Sequence, residues 1–129
     1  MSIQIKLSSV MVKNQETAAH FYTNVLGFVK KQDVPMGEHR WLTVVSPESD
    51  EVELLLEAMA FAPAQTFQAA LYEAGIPATG FAVSDIQAEY ERLNQQGVSF
   101  KMAPTAMGPV TIAILDDNCG NWIQLYQMN

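Results

Sequence analysis

Glu53 lies in the run Val52-Glu53-Leu54-Leu55-Leu56-Glu57, a carboxylate set in strand-like, leucine-rich sequence. A carboxylate in such surroundings can accept a hydrogen bond from a ligand, or serve as a general base if burial raises its pKa. It can equally pair with Arg40, whereas Glu57, near the end of the run, reads as solvated. Arg40, within Glu38-His39-Arg40-Trp41, offers a planar guanidinium suited to clamping a carboxylate or phosphate, or to binding neighbouring acids. Trp122 and Tyr126 flank Gln124 at a spacing of two on each side, so all three side chains share one strand face. The two aromatics provide flat apolar surface with a polar handle, useful to a ligand and equally to a core or a dimer interface. His20, beside Phe21 on a helix, reads as a surface residue; His39 reads as structural, on a strand whose face the sequence leaves open. Cys119 occupies a tight turn with no neighbour to lower its pKa. No nucleophile–base pair, phosphate loop or CxxC spacing accompanies these residues.

The chain as a whole restricts what they can serve. Its 129 residues make one domain by size, with ordinary globular composition. A net charge of −7 disfavours nucleic acid and anionic membrane, which need a basic face. A single cysteine excludes an intrachain disulfide and fits a reducing compartment. The start MSIQIKL lacks a long apolar stretch, and no apolar run reaches membrane-spanning length, so a cytoplasmic location is expected.

The residues are positioned by a sequence written twice. Met36-Gly37 recurs as Met107-Gly108 and Val12-Lys13-Asn14 as Val83-Ser84-Asp85, both at an offset of 71; Val52-Glu53-Leu54 recurs in character as Ile123-Gln124-Leu125 at the same offset. One register kept across three separated segments argues for internal duplication. In the first copy Ile3 to Val12 reads as a strand. Asn14 caps a helix with Ala18, Phe21, Tyr22, Val25 and Leu26 on one face, stopped at Gly27. Strands follow at 28–34, 38–45 and 51–57, with turns at Pro35-Met36-Gly37 and Ser46-Pro47-Glu48. In the second, Pro77 to Val83 is a strand, and Asp85 caps a helix carrying Ile86, Tyr90 and Leu93, stopped at Gly97. Strands follow at 98–103, 110–115 and 122–127. The expected fold is α+β: two tandem βαβββ modules at residues 1–57 and 76–129, with eight strands. The 58–75 linker reads as a loop and a short helix around Phe67, Ala70 and Leu71.

Two βαβββ modules, the FYTNVLGF segment and the DDNCGNWIQLYQ segment resemble the glyoxalase/bleomycin-resistance/extradiol-dioxygenase family, the vicinal oxygen chelate proteins. The resemblance covers essentially the whole chain and is specific for fold through FY-x-x-x-LGF and D-x-x-GN-x-I-x-L. It implies a curved eight-stranded mixed sheet around a pocket, with two chains usually associating. It is weak for function, because the fold hosts lyases, epimerases, dioxygenases and antibiotic-binding proteins.

Catalytic members hold a divalent metal on the first and last strands of each module. Carried over by register, those positions here are Leu7 (or Ser8 if the register slips by one), Glu53, Ala78 and Gln124. Such a metal needs about three charged or imidazole ligands at about 2.0–2.2 Å. Leu7 and Ala78 have no donor atom and Gln124 is a weak neutral ligand, so no metal, and no other cofactor, is expected. Strand alternation then gives an inward set of Leu7, Ser9 and Met11; Glu53, Leu55 and Glu57; Ala78, Gly80 and Ala82; and Trp122, Gln124 and Tyr126. The opposite faces (Val10, Val12; Val52, Leu54, Leu56; Phe81, Val83; Ile123, Leu125) are aliphatic and should pack on the helices.

The sequence thus points to a metal-free binder of a small organic ligand, cationic or amphipathic, contacted by Glu53, Gln124, Trp122 and Tyr126, with Arg40 as a fifth candidate. The alternative is a lyase, isomerase or dioxygenase-type enzyme using Glu53 as base, or Glu53 and Gln124 with a donor such as His39 as an atypical metal site. A homodimer is expected, both from the resemblance and because a U-shaped sheet leaves edges for a second copy to cover. Light scattering at micromolar concentration should return about twice the mass of one chain.

Overall fold

The computed structural model describes residues 2–129. Strand β1 is Leu7–Val12; helix α1, Gln15–His20, runs on as a π-helical turn over Phe21–Val25; strands β2 (Val29–Met36), β3 (His39–Ser46) and β4 (Ser49–Ala58) follow. After helix α2 (Ala62–Ala74) come β5 (Thr79–Ala82), α3 (Ile86–Gln95), β6 (Phe100–Met107), β7 (Val110–Asp116) and β8 (Trp122–Met128). The chain divides into two compact units, the first ending at Ala64 and the second spanning Gln65–Asn129. Each holds one βαβββ module and one four-stranded mixed sheet, ordered β1-β4-β3-β2 and β5-β8-β7-β6. The two expected modules and their eight strands are therefore present, as one sheet per unit.

Local chemistry sets the helix ends as the sequence suggests. The Asn14 side chain accepts from the Thr17 N–H at 2.9 Å and Asp85 from the Ala88 N–H at 3.1 Å, each satisfying a donor that a helix start leaves unpaired. Gly27, at φ +95°, takes the left-handed conformation that ends the first helix.

In the first unit, Val10, Val12, Leu42, Val44 and Leu56 are buried on the sheet face that meets α1, whose own Ala18, Phe21 and Tyr22 are buried. Gln15 fixes this packing. Its amide nitrogen donates to the carbonyls of Arg40 on β3 and Leu56 on β4, at 2.7 and 2.9 Å, and its oxygen accepts the Arg40 N–H at 3.0 Å. The β3–β4 ladder pairs Thr43 with Leu55 and Val44 with Leu54, and toward Arg40 the Gln15 amide takes over as a side-chain rung. In the second unit, Ala113, Leu115, Ile123 and Leu125 are buried with Ile86 and Leu93 of α3, and Tyr90 meets Phe100 edge-on at 4.7 Å. Gln127 Oε1 accepts the Ile86 N–H at 2.7 Å, tying the start of α3 to β8.

Several boundaries differ from the sequence reading for identifiable reasons. β1 starts at Leu7, where pairing with Glu53 begins, and Ile3 and Ile5 upstream are exposed. Val52, expected on the core face, is 46% exposed. The helix expected in the linker is present and longer than the short one expected, 13 residues over Ala62–Ala74, consistent with the five alanines it holds. β2 and β6 run past their expected ends through Pro35 and Pro104, which is tolerated because both are outer strands.

The repeat offset also needs correction at the last strands. Ser9 pairs with Leu55 and Gly80 with Gln124. First strands correspond at 80 − 9 = 71, but last strands at 124 − 55 = 69. Gln124 is thus the counterpart of Leu55, not of Glu53, and Glu53 is the counterpart of Trp122, whose carbonyl accepts the Ala78 N–H. The paired residues Ile114 and Gln124 stand 124 − 114 = 10 positions apart, against 55 − 43 = 12 for their counterparts Thr43 and Leu55, and a shift of two preserves the face.

Replacing Gln15 by leucine should leave the three Arg40 and Leu56 backbone groups without these partners. A loss on the order of 2–4 kcal/mol is expected in urea unfolding, while the conservative Gln15→Glu should lose less only under acid conditions, where its carboxyl regains a donor.

Candidate functional site

In the first unit, the sheet face opposite α1 carries Glu53 and Leu55 from β4, Thr43 from β3 and Gln32 from β2. Cross-strand pairing aligns Gln32 with Thr43 and Thr43 with Leu55. Glu53 Oε1 accepts from Gln32 Nε2 at 2.6 Å and from Thr43 Oγ1 at 2.8 Å. Those two hydrogen bonds hold the Glu53 carboxyl below its ordinary pKa, against a desolvation contribution in the other direction. Lys31 adds a small lowering influence and Asp50 a small raising one. Thr43 is fully buried and Glu53 half-buried.

Arg40 lies on the other face, beside α1. Its Nε and NH2 donate to the two oxygens of Asp33 at 2.9 and 2.7 Å, and NH1 donates to Glu16 at 3.2 Å. This bidentate pair lowers the Asp33 pKa strongly, with Lys30 assisting, and raises that of Arg40. Of the two partners open to Glu53 and Arg40 in the sequence reading, each has found a different one. His39 has the strand parity of Trp41 and Thr43, at the exposed end of β3, and His20 is exposed with Nδ1 2.8 Å from the Asn24 amide.

In the second unit, Trp122, Gln124 and Tyr126 project from one face of β8, opposite the face packed on α3. Trp122 stacks on Tyr72 of α2, with ring centroids 4.7 Å apart and planes at 6°, and its indole N–H donates to the Tyr72 carbonyl at 3.0 Å. Lys101 Nζ lies 5.9 Å from the indole centroid. The Tyr72 hydroxyl donates to Asp116 at 2.7 Å, a bond that raises the Tyr72 pKa. Trp122 is therefore anchored to α2. The side chains of Gln124 and Tyr126 make no hydrogen bond among the described residues, and both are half-buried. Gly80 leaves room beside them: a Cβ there would sit 3.2 Å from the Gln124 carbonyl and 3.8 Å from the Tyr126 ring.

The turn leading into β8 explains the D-x-x-GN segment. Asp117, fully buried, accepts from the backbone N–H groups of Cys119 and Asn121 at 2.7 and 3.0 Å and from the Asn121 amide at 2.8 Å. Gln68 of α2 donates to the Cys119 carbonyl and to Asn121 Oδ1. Gly120 has φ +96°, and a Cβ there would come within 2.5 Å of the Gln68 side chain, so both conformation and space require glycine. Cys119 is buried in this turn.

Residues 4–125 match the profile of the Glyoxalase/Bleomycin resistance protein/Dioxygenase superfamily. The chain belongs to that superfamily. It is 51% identical over 126 residues to the uncharacterized protein YurT of Bacillus subtilis strain 168, covering 97% of this chain and 99% of YurT. Among solved structures of similar fold, UcmS2 superposes with a TM-score of 0.84 at 32% identity, covering 98% of each chain. TnmS3, described as an antibiotic binding protein from Streptomyces sp. CB03234, superposes with a TM-score of 0.77 at 27% identity, covering 100% of this chain and 99% of that one.

The metal found in catalytic members of the superfamily is poorly matched by this donor set. Leu7 and Ala78 offer no donor atom and Gln124 only a neutral amide. The strand register adds that the first-unit counterpart of Gln124 is Leu55, also without a donor. Among the described residues no group of three His, Cys, Asp or Glu side chains is placed to hold a metal ion.

Sequence reasoning missed Gln32, Thr43 and Tyr72. Thr43 was within reach, since Trp41, Thr43 and Val45 alternate on one face of β3; Gln32 is displaced by the bulge between Lys30 and Gln32, and Tyr72 lies in the linker.

Asp33 and Glu53 both have depressed folded pKa values, so the stability they contribute is present above the unfolded carboxylate pKa and is lost as pH falls through the folded values. Melting temperatures of wild type and Asp33→Asn should differ most near neutral pH, and the gap should close below about pH 4.

Proposed function

We propose that this protein binds a small organic molecule without the superfamily's catalytic metal, the candidate contacts being Glu53 on its sheet face of the first unit and, separately, Gln124 and Tyr126 on theirs in the second. The observation that carries this reading is the Glu53 carboxylate, oriented by two neutral donors and left with its charge unneutralised by any ion pair among the described residues. Gln124 and Tyr126 add polar groups without partners in the described chain, on a half-buried strand face next to Gly80. This mixture of apolar surface and few polar groups suits a ligand of modest size. The likeness to TnmS3 supports the same reading. Trp122, fixed by Tyr72, contributes through whatever part of its ring α2 leaves open. Arg40, held by Asp33 and Glu16, takes no part. The protein acts as a homodimer in the cytoplasm.

A thermal-shift screen of aromatic organic compounds, both amine-bearing and neutral, should return compounds that raise the melting temperature. For these, substitution on the face that the compound occupies, Glu53→Gln in the first unit or Tyr126→Ala in the second, should weaken binding by about tenfold, the effect of losing one charged hydrogen bond or one aromatic contact, while His20→Ala should change nothing. Stoichiometric divalent metal in protein purified without chelator, lost on Glu53→Ala, would overturn the metal-free reading in favour of an enzyme.

A further inference from the structure

We propose that Gln32 and Thr43 are positioning residues that fix Glu53 as an ionised acceptor for a protonated nitrogen of the ligand. The proposal rests on the binding reading above and specifies its chemistry. Both donors address the same oxygen: Gln32 Nε2 at 2.6 Å and Thr43 Oγ1 at 2.8 Å from Oε1. Oε2 has no hydrogen bond among the described residues, so the carboxylate is steered by one oxygen and presents the other.

The donors are neutral, which matters more than their number. A guanidinium would orient the carboxylate and cancel its charge; an amide and a hydroxyl orient it and leave the charge in place. The first unit also contains the contrasting arrangement. Arg40 is engaged bidentately by Asp33 on the other face of the same sheet and is withheld from Glu53. Around Glu53, Lys31 of β2 is drawn to Asp50 at 3.4 Å, Glu57 lies four residues along on the same face of β4, and His39 occupies the far end of β3. None of these forms an ion pair with Glu53. β1 contributes only Leu7 beside it, and Leu55 on β4 is buried. An uncompensated carboxylate among leucines repels anions and gains little from neutral groups, whereas an ammonium group forms a charge-assisted hydrogen bond with it. A chain charge of −7 draws cations toward the whole molecule.

The same hydrogen bonds argue against proton abstraction by Glu53. They stabilise the ionised form, and a base useful near neutral pH needs a pKa raised toward it.

The test uses the full chain with carbon-13-labelled glutamate, the Glu53 carboxyl signal being assigned by its loss in Glu53→Gln. Thr43→Val and Gln32→Leu should each move the Glu53 titration midpoint upward, and Thr43→Ser should restore it, with the amide spectrum confirming folding in each case. Because Thr43 is buried, Gln32→Leu and Thr43→Ser keep the test decisive if Thr43→Val does not fold. Benzylammonium should perturb the wild-type Glu53 signal saturably and benzyl alcohol should not, and Gln32→Leu should weaken the benzylammonium response about threefold or more. A midpoint unmoved in Gln32→Leu would overturn the positioning role. Equal responses to the two probes, or no response to benzylammonium, would overturn the preference for a protonated nitrogen. The broader reading fails on a different result, the absence of any stabilising compound in the thermal-shift screen, since neutral ligands found there would sustain binding without this specificity.

Discussion

β4 is hydrogen-bonded on both sides, parallel to β1 and antiparallel to β3, so its two faces must meet opposite requirements within ten residues. One face, ending in Leu56, closes the core against α1; the other carries Glu53, Leu55 and Glu57. β8 occupies the same position in the second sheet, with Ile123 and Leu125 turned to α3 and Gln124 and Tyr126 turned away. Because the pleat alternates strictly, burying the aliphatic set fixes where the polar set points. Neither set can be changed independently. A one-residue slip of β4 would place Glu53 under α1 and expose Leu56.

Much of this was legible in the chain. Alternation in Val52–Glu57 and Trp122–Gln127 assigned the faces, because the period of two is a local property. Asn14 and Asp85 announced α1 and α3 for the same reason: capping is decided by the next three residues. What escaped depends on which strand lies beside which. Glu53 and Gln124 looked equivalent because their sequence contexts match, but ladders are set by backbone pairing, and the pairing of β8 moved the match by two. Arg40 could not be assigned a partner from sequence because Asp33 approaches it only through the β2–β3 hairpin. Gln15 stands at an ordinary first-turn helical position, and its three bonds to β3 and β4 become visible only when the helix is docked.

The two carboxyls of the first unit with lowered pKa values show how shifts in the same direction come from different causes. Asp33 is lowered mainly by a cation, so its charge is used up within the fold. Glu53 is lowered mainly by a hydroxyl and an amide, so its charge persists. A site for an external cation needs the second kind, because a carboxylate already paired would have to break that pair before accepting a new one.

Pro35 and Pro104 lie on β2 and β6, each the outer strand of its own sheet. A proline has no N–H to offer, and its ring projects where an incoming strand would have to approach. Bulges on both strands further break the regular spacing of donors and acceptors. The rims of these sheets are thereby poor templates for a foreign strand, so the protein can accumulate to high concentration with less tendency to seed fibrous aggregates from those edges.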